Sequence, residues 1–278
     1  MSAEYAIADL CTALKVTRSG YHDWAARQPG ARAQANAALW PLIQQAYTES
    51  RQTYGSPRVH RWLRQRGHVC GRHRIARLMR AACLRSQSRR RFRPLSLTDS
   101  DHALPIAPNR LQDLRPSRRD VVWVADITYV NTAEGWLYVA AVVDRCTRRC
   151  VGWAMGESLA TTLPLAALNM ALAQRRPPAG LIHHSDRGVQ YASESYRQRL
   201  AAAGVVPSMS RRGNCYDNAL MESFWSSLKR ELVHRVHFAT RVQARAAIFE
   251  WIEIFYNRER LHSALGYQSP VDFETQLN

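Results

Sequence analysis

The chain has 278 residues, 46% of them apolar, and a formal charge of +17. That length and apolar content support one substantial domain plus a smaller one and exclude wholesale disorder. No apolar run reaches the roughly 18 residues of a membrane span, and MSAEYAIADLCTALKV lacks the basic start and unbroken apolar stretch of a secretory signal, so a soluble, cytoplasmic chain without membrane contact is expected.

The charge is concentrated. Residues 51–119 hold 18 arginines against three acids, Asp99, Asp101 and Asp113. Arginine is preferred throughout, since only Lys15 and Lys229 are lysines, but that preference does not remove Asp and Glu. A one-signed segment points to a polyanion such as nucleic acid. The cysteines, Cys11, Cys70, Cys83, Cys146, Cys150 and Cys215, form no CxxC pair and read as free thiols. His68, Cys70, His73 and Cys83 fit none of the common zinc spacings and read as side chains of a basic helical segment.

In chain order, residues 1–50 form an N-terminal helical segment. It begins with a short amphipathic piece that ends in a turn around Ser19-Gly20. Residues 33–49 then read as helix, which Pro41 should either start or break. Residues 51–93 contain two short segments with helical spacing. SPRVHRWLRQRG has Ser56 as a cap, Pro57 at the first helical position and Val59, Trp62 and Leu63 on one face. GRHRIARLMRAA gathers Ile75, Leu78 and Met79 and leaves Arg72, Arg74, Arg77 and Arg80 outside. With Gly67 at the join, they predict a helix-turn-helix-like DNA-binding domain; an ordinary helical hairpin with solvated arginines is the plainer alternative. RSQSRRRFRP, with Arg89, Arg90 and Arg91, follows as an arm for the DNA backbone, and a proline-punctuated linker spans 94–118.

The texture changes at 119–278. Runs at 121–130, 135–144 and 148–156 are rich in β-formers and joined by short turns, which predicts an antiparallel meander. A helix at 160–174, a strand at 181–186, a helix at 193–204, a strand at 205–210 and helices at 215–232 and 244–257 complete the pattern. The expected fold is α/β, a mixed five-stranded sheet with flanking helices, preceded by the small helical domain.

Three acids stand out by context. Asp126 interrupts the apolar strand WVADITYV, where an unpaired carboxylate costs several kcal/mol or a large pKa shift. Asp186 ends the strand in HHSDRG, and Glu222 lies inside the helix NALMESFWSSLK. Singly, they are also consistent with a hydrogen-bonded core Asp, a turn Asp and a solvated helix Glu. Lys229 lies seven residues beyond Glu222, two turns along the same helix face, whereas Glu231 falls off that face and is expected to be dispensable.

Thirty-five residues separate Asp186 from Glu222, and about sixty separate Asp126 from Asp186. With that order of elements, the chain resembles the DDE transposases and retroviral integrases, and is most similar to bacterial insertion-sequence transposases encoded by two overlapping frames. WVADITYV, VVDRCTRRCVGW, HHSDRGVQYAS, SRRGNCYDNALMESFWSSLKREL and YNRERLHSALGYQSP resemble successive family blocks. YGSPRVHRWLRQRGHVCGRHRIARLMR is similar to the family's upstream domain. The resemblance implies a ribonuclease-H-like catalytic core in which Asp126, Asp186 and Glu222 hold divalent cations: two Mg2+ ions, with Mn2+ as a substitute. Asp126 would bridge them, while Asp186 and Glu222 would each hold one.

Hard carboxylate oxygens suit Mg2+, and a two-ion site activates the attacking oxygen and stabilises the departing one. On this reading Ser185 is a turn hydroxyl, and His183 and His184 are core or supporting groups. Asn214, Asp217 and Asn218 serve as cap or loop residues. Lys229, Arg72, Arg74, Arg77, Arg80, Arg89, Arg90 and Arg91 would meet DNA. Tyr256, Asn257, Arg260 and His262 resemble a family tail motif with no evident physical role, although Tyr256 suits packing. Ala125 replaces a usual hydroxyl residue. The family's upstream helix-turn-helix and leucine zipper have no counterpart in the heptad pattern, so a second-frame product is expected, working as an oligomer on DNA with the upstream-frame protein or fused to it. The alternatives are a DNA-binding regulator without catalysis and a ribonuclease-H-like nuclease that cuts without joining.

Overall fold

The computed structural model describes residues 5–86, 102–111, 114–211 and 218–277. The arm carrying Arg89, Arg90 and Arg91, and also Asn214, Cys215 and Asp217, lie outside the described residues.

Two short helices open the chain, α1 (Ile7–Ala13) and α2 (Arg18–Ala26). Ser19 and Gly20, expected in a turn, lie instead in the first turn of α2, because the Thr17 hydroxyl accepts the Gly20 N–H at 3.1 Å and caps the helix. Helix α3 (Ala31–Glu49) runs through Pro41 without ending. An interior proline costs about 3 kcal/mol. Pro41 sits on the exposed side, while Leu39, Ile43 and Ala46 are buried with the next two helices, and this packing outweighs the local penalty.

Helices α4 (Ser56–Gln65) and α5 (Arg72–Ala81) follow the expected pattern. Gly55 rather than Ser56 takes the N-cap position of α4, and Pro57 lies in the first turn. Gly67, at φ 83°, makes the left-handed turn between the two helices. Val59, Trp62, Leu63, Ile75 and Met79 form one core with the α3 residues.

The larger unit is a five-stranded sheet in the order β3-β2-β1-β4-β5. Strands β1 (Val122–Thr132), β2 (Gly135–Asp144) and β3 (Cys150–Gly156) form the antiparallel meander, and β4 (Ile182–Ser185) and β5 (Val206–Met209) add in parallel beside β1. This is the mixed sheet expected from the sequence. Helix α6 (Thr162–Arg175), the single turn α7 (Val189–Ala192) and α8 (Glu194–Ala202) pack on one face, around Trp123, Val142 and Val151. A side chain at Gly152 would come within 2.3 Å of the Ala167 carbonyl, so glycine is what lets α6 lie directly on β3.

On the other face lie α9 (Ala219–Leu228), a π-helical turn (Lys229–Val233) and α10 (Arg241–Glu250) with its π-helical extension (Trp251–Glu259), packed over Val122, Val124, Val139 and Val143. Helix α11 (Pro270–Thr275) ends the described chain.

The C-terminal tail joins the two units. Tyr54 donates its hydroxyl to the Glu259 carbonyl at 3.3 Å and accepts the Leu261 N–H at 2.8 Å. Arg51 pairs with Glu250 at 2.9 Å. Glu231, expected to be dispensable, is buried, and Arg260 donates to its two carboxylate oxygens at 2.7 and 2.8 Å. The π-helical turn after Leu228 changes the helix periodicity, so a face extrapolated from Glu222 no longer holds at position 231. The tail residues whose role was obscure thereby gain one: Arg260 closes this pair, and the Asn257 amide accepts the Cys150 N–H and donates to the Cys150 carbonyl, both at 3.0 Å.

Candidate active site

Strands β1 and β4 run parallel, with Val122 opposite Ile182 and Val124 opposite His184. Asp126 and Asp186 each lie two residues further on, so the register brings them to one level, Asp126 in the middle of β1 and Asp186 just past the end of β4. Ligands of open α/β sheets bind beyond the carboxyl ends of parallel strands such as β4. Asp126 is only partly screened from solvent, yet the protein around it is dense. Burial, then Asp186, and more weakly Glu222, push its carboxyl up to about 8, against hydrogen bonds from the Ile127 backbone and Trp225. The three acids therefore belong to one electrostatic group.

Each acid is positioned differently. Trp225, one turn beyond Glu222 on α9, donates its indole N–H to Asp126 Oδ2 at 3.0 Å. The Gly188 N–H donates to Asp186 Oδ1 at 3.0 Å. Glu222 stands exposed in the first turn of α9. Asn218, at the N-cap position, donates its amide to the Ala125 carbonyl at 3.4 Å rather than capping α9 through its side chain. Sequence reasoning missed Trp225, although its spacing from Glu222 already put the two on one helix face.

Among the described residues, no three His, Cys, Asp or Glu side chains, these acids included, stand close enough together to hold a metal ion as they are. Asp126, Asp186 and Glu222 are hard oxygen donors on three separate elements, and burial, with Asp186 and Glu222, raises Asp126. That donor chemistry fits a divalent cation, which relieves the repulsion and still leaves room for substrate oxygens.

The neighbouring histidines are occupied elsewhere. His184 lies between the Ser208 and Ser210 hydroxyls at 2.8 and 3.1 Å. His183 meets Tyr196 Oη at 3.0 Å, and burial followed by His184 lowers it to about 3, so it is neutral. Ser185 donates its hydroxyl to the Asp186 carbonyl at 3.0 Å. Lys229 follows Leu228 into the π-helical turn, and its ammonium lies 4.7 Å from the Tyr129 ring centroid. Burial lowers its pKa, and the charge of Asp126 opposes that shift. Arg72, Arg77 and Arg80 are exposed on α5, whereas Arg74 is half-buried and donates to Asn36 on α3 at 2.7 Å.

Residues 116–215 and 203–270 match family models described as Integrase core domain, and 33–92 match one described as HTH-like domain. The chain is 48% identical to the insertion element IS600 uncharacterized 31 kDa protein of Shigella sonnei, over 97% of this chain and 98% of that protein. It is 40% identical to transposase InsF for insertion sequence IS3A of Escherichia coli (strain K12), over 99% of this chain and 96% of that protein. The chain belongs to the insertion-sequence transposases.

This transposase is also similar to solved structures at the level of 12–13% identity. One is the simian T-cell lymphotropic virus intasome in complex with PP2A regulatory subunit B56 gamma (TM-score 0.48, covering 79% of this chain and 74% of that chain). Another is the HTLV-2 integrase catalytic core domain in complex with magnesium (TM-score 0.44, covering 58% of this chain and 99% of that chain). Among the described residues of the transposase, no helix is long and apolar enough to cross a membrane.

Proposed function

We propose that the transposase cuts and joins DNA at Asp126, Asp186 and Glu222, which hold divalent cations, Mg2+ or Mn2+, and that two ions act together. The observation that carries this reading is the level placement of Asp126 and Asp186 on adjacent parallel strands, where burial, Asp186 and Glu222 raise the Asp126 carboxyl. Buried or crowded carboxylates that repel one another mark a functional site more often than a structural one. Bound there, the cations supply charge stabilisation to the attacking and departing oxygens of a phosphodiester.

The protein side chains supply position. The Trp225 N–H fixes one oxygen of Asp126, and the Gly188 N–H fixes one oxygen of Asp186. Glu222 approaches these acids from α9, and Lys229 offers a cation to the DNA backbone seven residues further on. Arg72, Arg77 and Arg80 on α5, with Arg89, Arg90 and Arg91, bind phosphates, while Arg74 serves mainly to brace α5 against α3. The units are the helical segment 1–50, the helix-turn-helix-like domain 51–93, the linker 94–118 and the catalytic region 119–278, with α3 packed on the second unit. We further infer that the chain acts as a homo-oligomer on element ends in the bacterial nucleoid, with the upstream-frame protein or fused to it.

Labelled element ends incubated with supercoiled target test this reading, with and without the upstream-frame protein. Joined product is expected in Mg2+ and Mn2+ and not in a chelator. Joining that persists in the chelator contradicts it, and cutting without joining points to a nuclease.

A further inference from the structure

A cavity of about 300 Å3 opens where the β1–β2 hairpin meets the segment after the Glu222 helix. Tyr129, Asn131 and Trp136 line it from the hairpin; Lys229, His237 and Phe238 line it from the segment. Trp136 is 45% exposed, and its ring meets that of Tyr129 edge-on, with centroids 4.8 Å apart. The Lys229 ammonium lies 4.7 Å from the Tyr129 ring centroid.

This combination is selective. An indole left open to water offers a flat apolar face at no cost in reorganisation, and a cation at the rim offers a partner for an anion. The ligand that carries both a flat π-face and an attached anion is a nucleotide. Position narrows the choice further. Tyr129 lies three residues beyond Asp126 on β1, about 10 Å at the usual strand rise and on the opposite pleat. Lys229, over the Tyr129 ring, is near enough to Asp126 to feel its charge. DNA whose phosphate reaches the acids is then within about three base steps, at roughly 3.4 Å each, of the cavity. In a paired duplex both faces of that base are covered by its neighbours, so only a base taken out of the stack can use the rings.

We propose that this cavity receives one unpaired base of the DNA strand next to the scissile phosphate, stacked on the Trp136 indole with Tyr129 at its edge, and with Lys229 holding its phosphate. The location relative to the scissile phosphate rests on the assignment of Asp126, Asp186 and Glu222. The presence of a base-stacking site rests on the cavity itself. The site favours DNA that is already distorted or nicked, because less stacking is then lost on entry.

Binding by the full-length chain in chelator tests the proposal, with a short duplex bearing a single bulged 2-aminopurine, the same duplex with a bulged abasic site, and the fully paired duplex. The wild-type chain is expected to prefer the bulged base over the abasic bulge by about fivefold or more, the scale of one base–aromatic stack, and to quench its fluorescence. Trp136→Ala should lose both effects and keep its affinity for the paired duplex. Trp136→Phe, which retains a ring, should keep most of the preference and guards against misfolding as the cause. Equal affinity for the two bulged duplexes overturns the proposal, as does a preference that survives in Trp136→Ala. A Trp136→Ala chain that changes its association state while keeping the preference assigns the cavity to a second copy of the chain and overturns it too. Failure of the catalytic assignment shows separately, as strand transfer that survives in Asp126→Asn whatever the binding data.

Discussion

Arg260 donates to both carboxylate oxygens of Glu231, at 2.7 and 2.8 Å, with each side chain only 5% exposed. Glu231 lies two residues after Lys229 in the π-helical turn, and Arg58 of α4 approaches it at 3.9 Å. One buried pair thus ties together the helix that carries Glu222, the C-terminal tail and the helix-turn-helix-like unit. Removing one partner leaves an uncompensated buried charge, which costs about 3–5 kcal/mol. Glu231→Gln should therefore lower the melting temperature by roughly 10 °C. Replacing both partners with apolar residues should cost less than the sum of the single changes, as a double-mutant cycle by thermal denaturation would read.

Trp225 is expected to tune Asp126 without touching substrate. Its indole N–H is one of the hydrogen bonds that oppose the upward shift of that carboxyl. Trp225→Phe keeps a ring in the core and removes the donor. The Mg2+ concentration for half-maximal strand transfer should rise about tenfold or more, the usual cost of losing a group that orients a ligand, with melting temperature nearly unchanged. An unaltered Mg2+ requirement would remove Trp225 from the site.

The three exposed arginines of α5 should behave as phosphate contacts, and Arg74 should not. Each lost contact flattens the plot of log affinity against log salt by about 0.9. The triple change Arg72→Ala, Arg77→Ala and Arg80→Ala should thus reduce the slope by about 2–3, measured by fluorescence anisotropy on random duplex. Arg74→Ala should instead reduce stability through its bond to Asn36. An unchanged slope in the triple variant would put the DNA footprint elsewhere.

Glu274 provides a pH test remote from the acids. Burial works to raise its carboxyl, but hydrogen bonds and charge from Arg149 and Arg175 outweigh it, and the net shift is downward from 4.5. A carboxyl lowered in the folded state adds stability above its ordinary value and loses it as pH falls through the lowered one. Glu274→Gln should melt well below wild type at pH 7, and the gap should close as pH drops below 4.5. A gap that stays constant in acid would show that packing, not charge, holds α11.

The mixed five-stranded sheet and its helices were legible because binary patterning, turn residues and the meander's short connections agree along residues 121–210. Asp126 stood out in the sequence because its charge interrupts the apolar run WVADITYV, whereas the parallel register that levels Asp186 with it belongs to the folded sheet. What escaped was set by tertiary contact. Nothing local marks Pro41 as tolerable inside α3; the buried Leu39, Ile43 and Ala46 decide it. The capping of α2 by Thr17 was a local signal left unused. Glu231 misled because a regular 3.6-residue repeat was carried past Leu228, where the helix becomes π-helical. Arg260 lies twenty-nine positions away from its partner, beyond any periodic argument.

Strand transfer in Mg2+ by Asp126→Asn, Asp186→Asn and Glu222→Gln, with the upstream-frame protein present, bears most directly on the assignment of the three acids. Burial and the neighbouring acids raise the Asp126 carboxyl and so favour its neutral form, and an amide of the same size should leave folding and DNA binding intact. Each substitution should abolish joining, and combinations should be no worse, since residues that act as a unit fail as a unit. Asp126→Cys or Asp186→Cys should be inactive in Mg2+ and recover in part in Mn2+, which accepts sulfur more readily. Wild-type joining by Glu222→Gln, or by either Asn variant, would contradict the assignment of that acid.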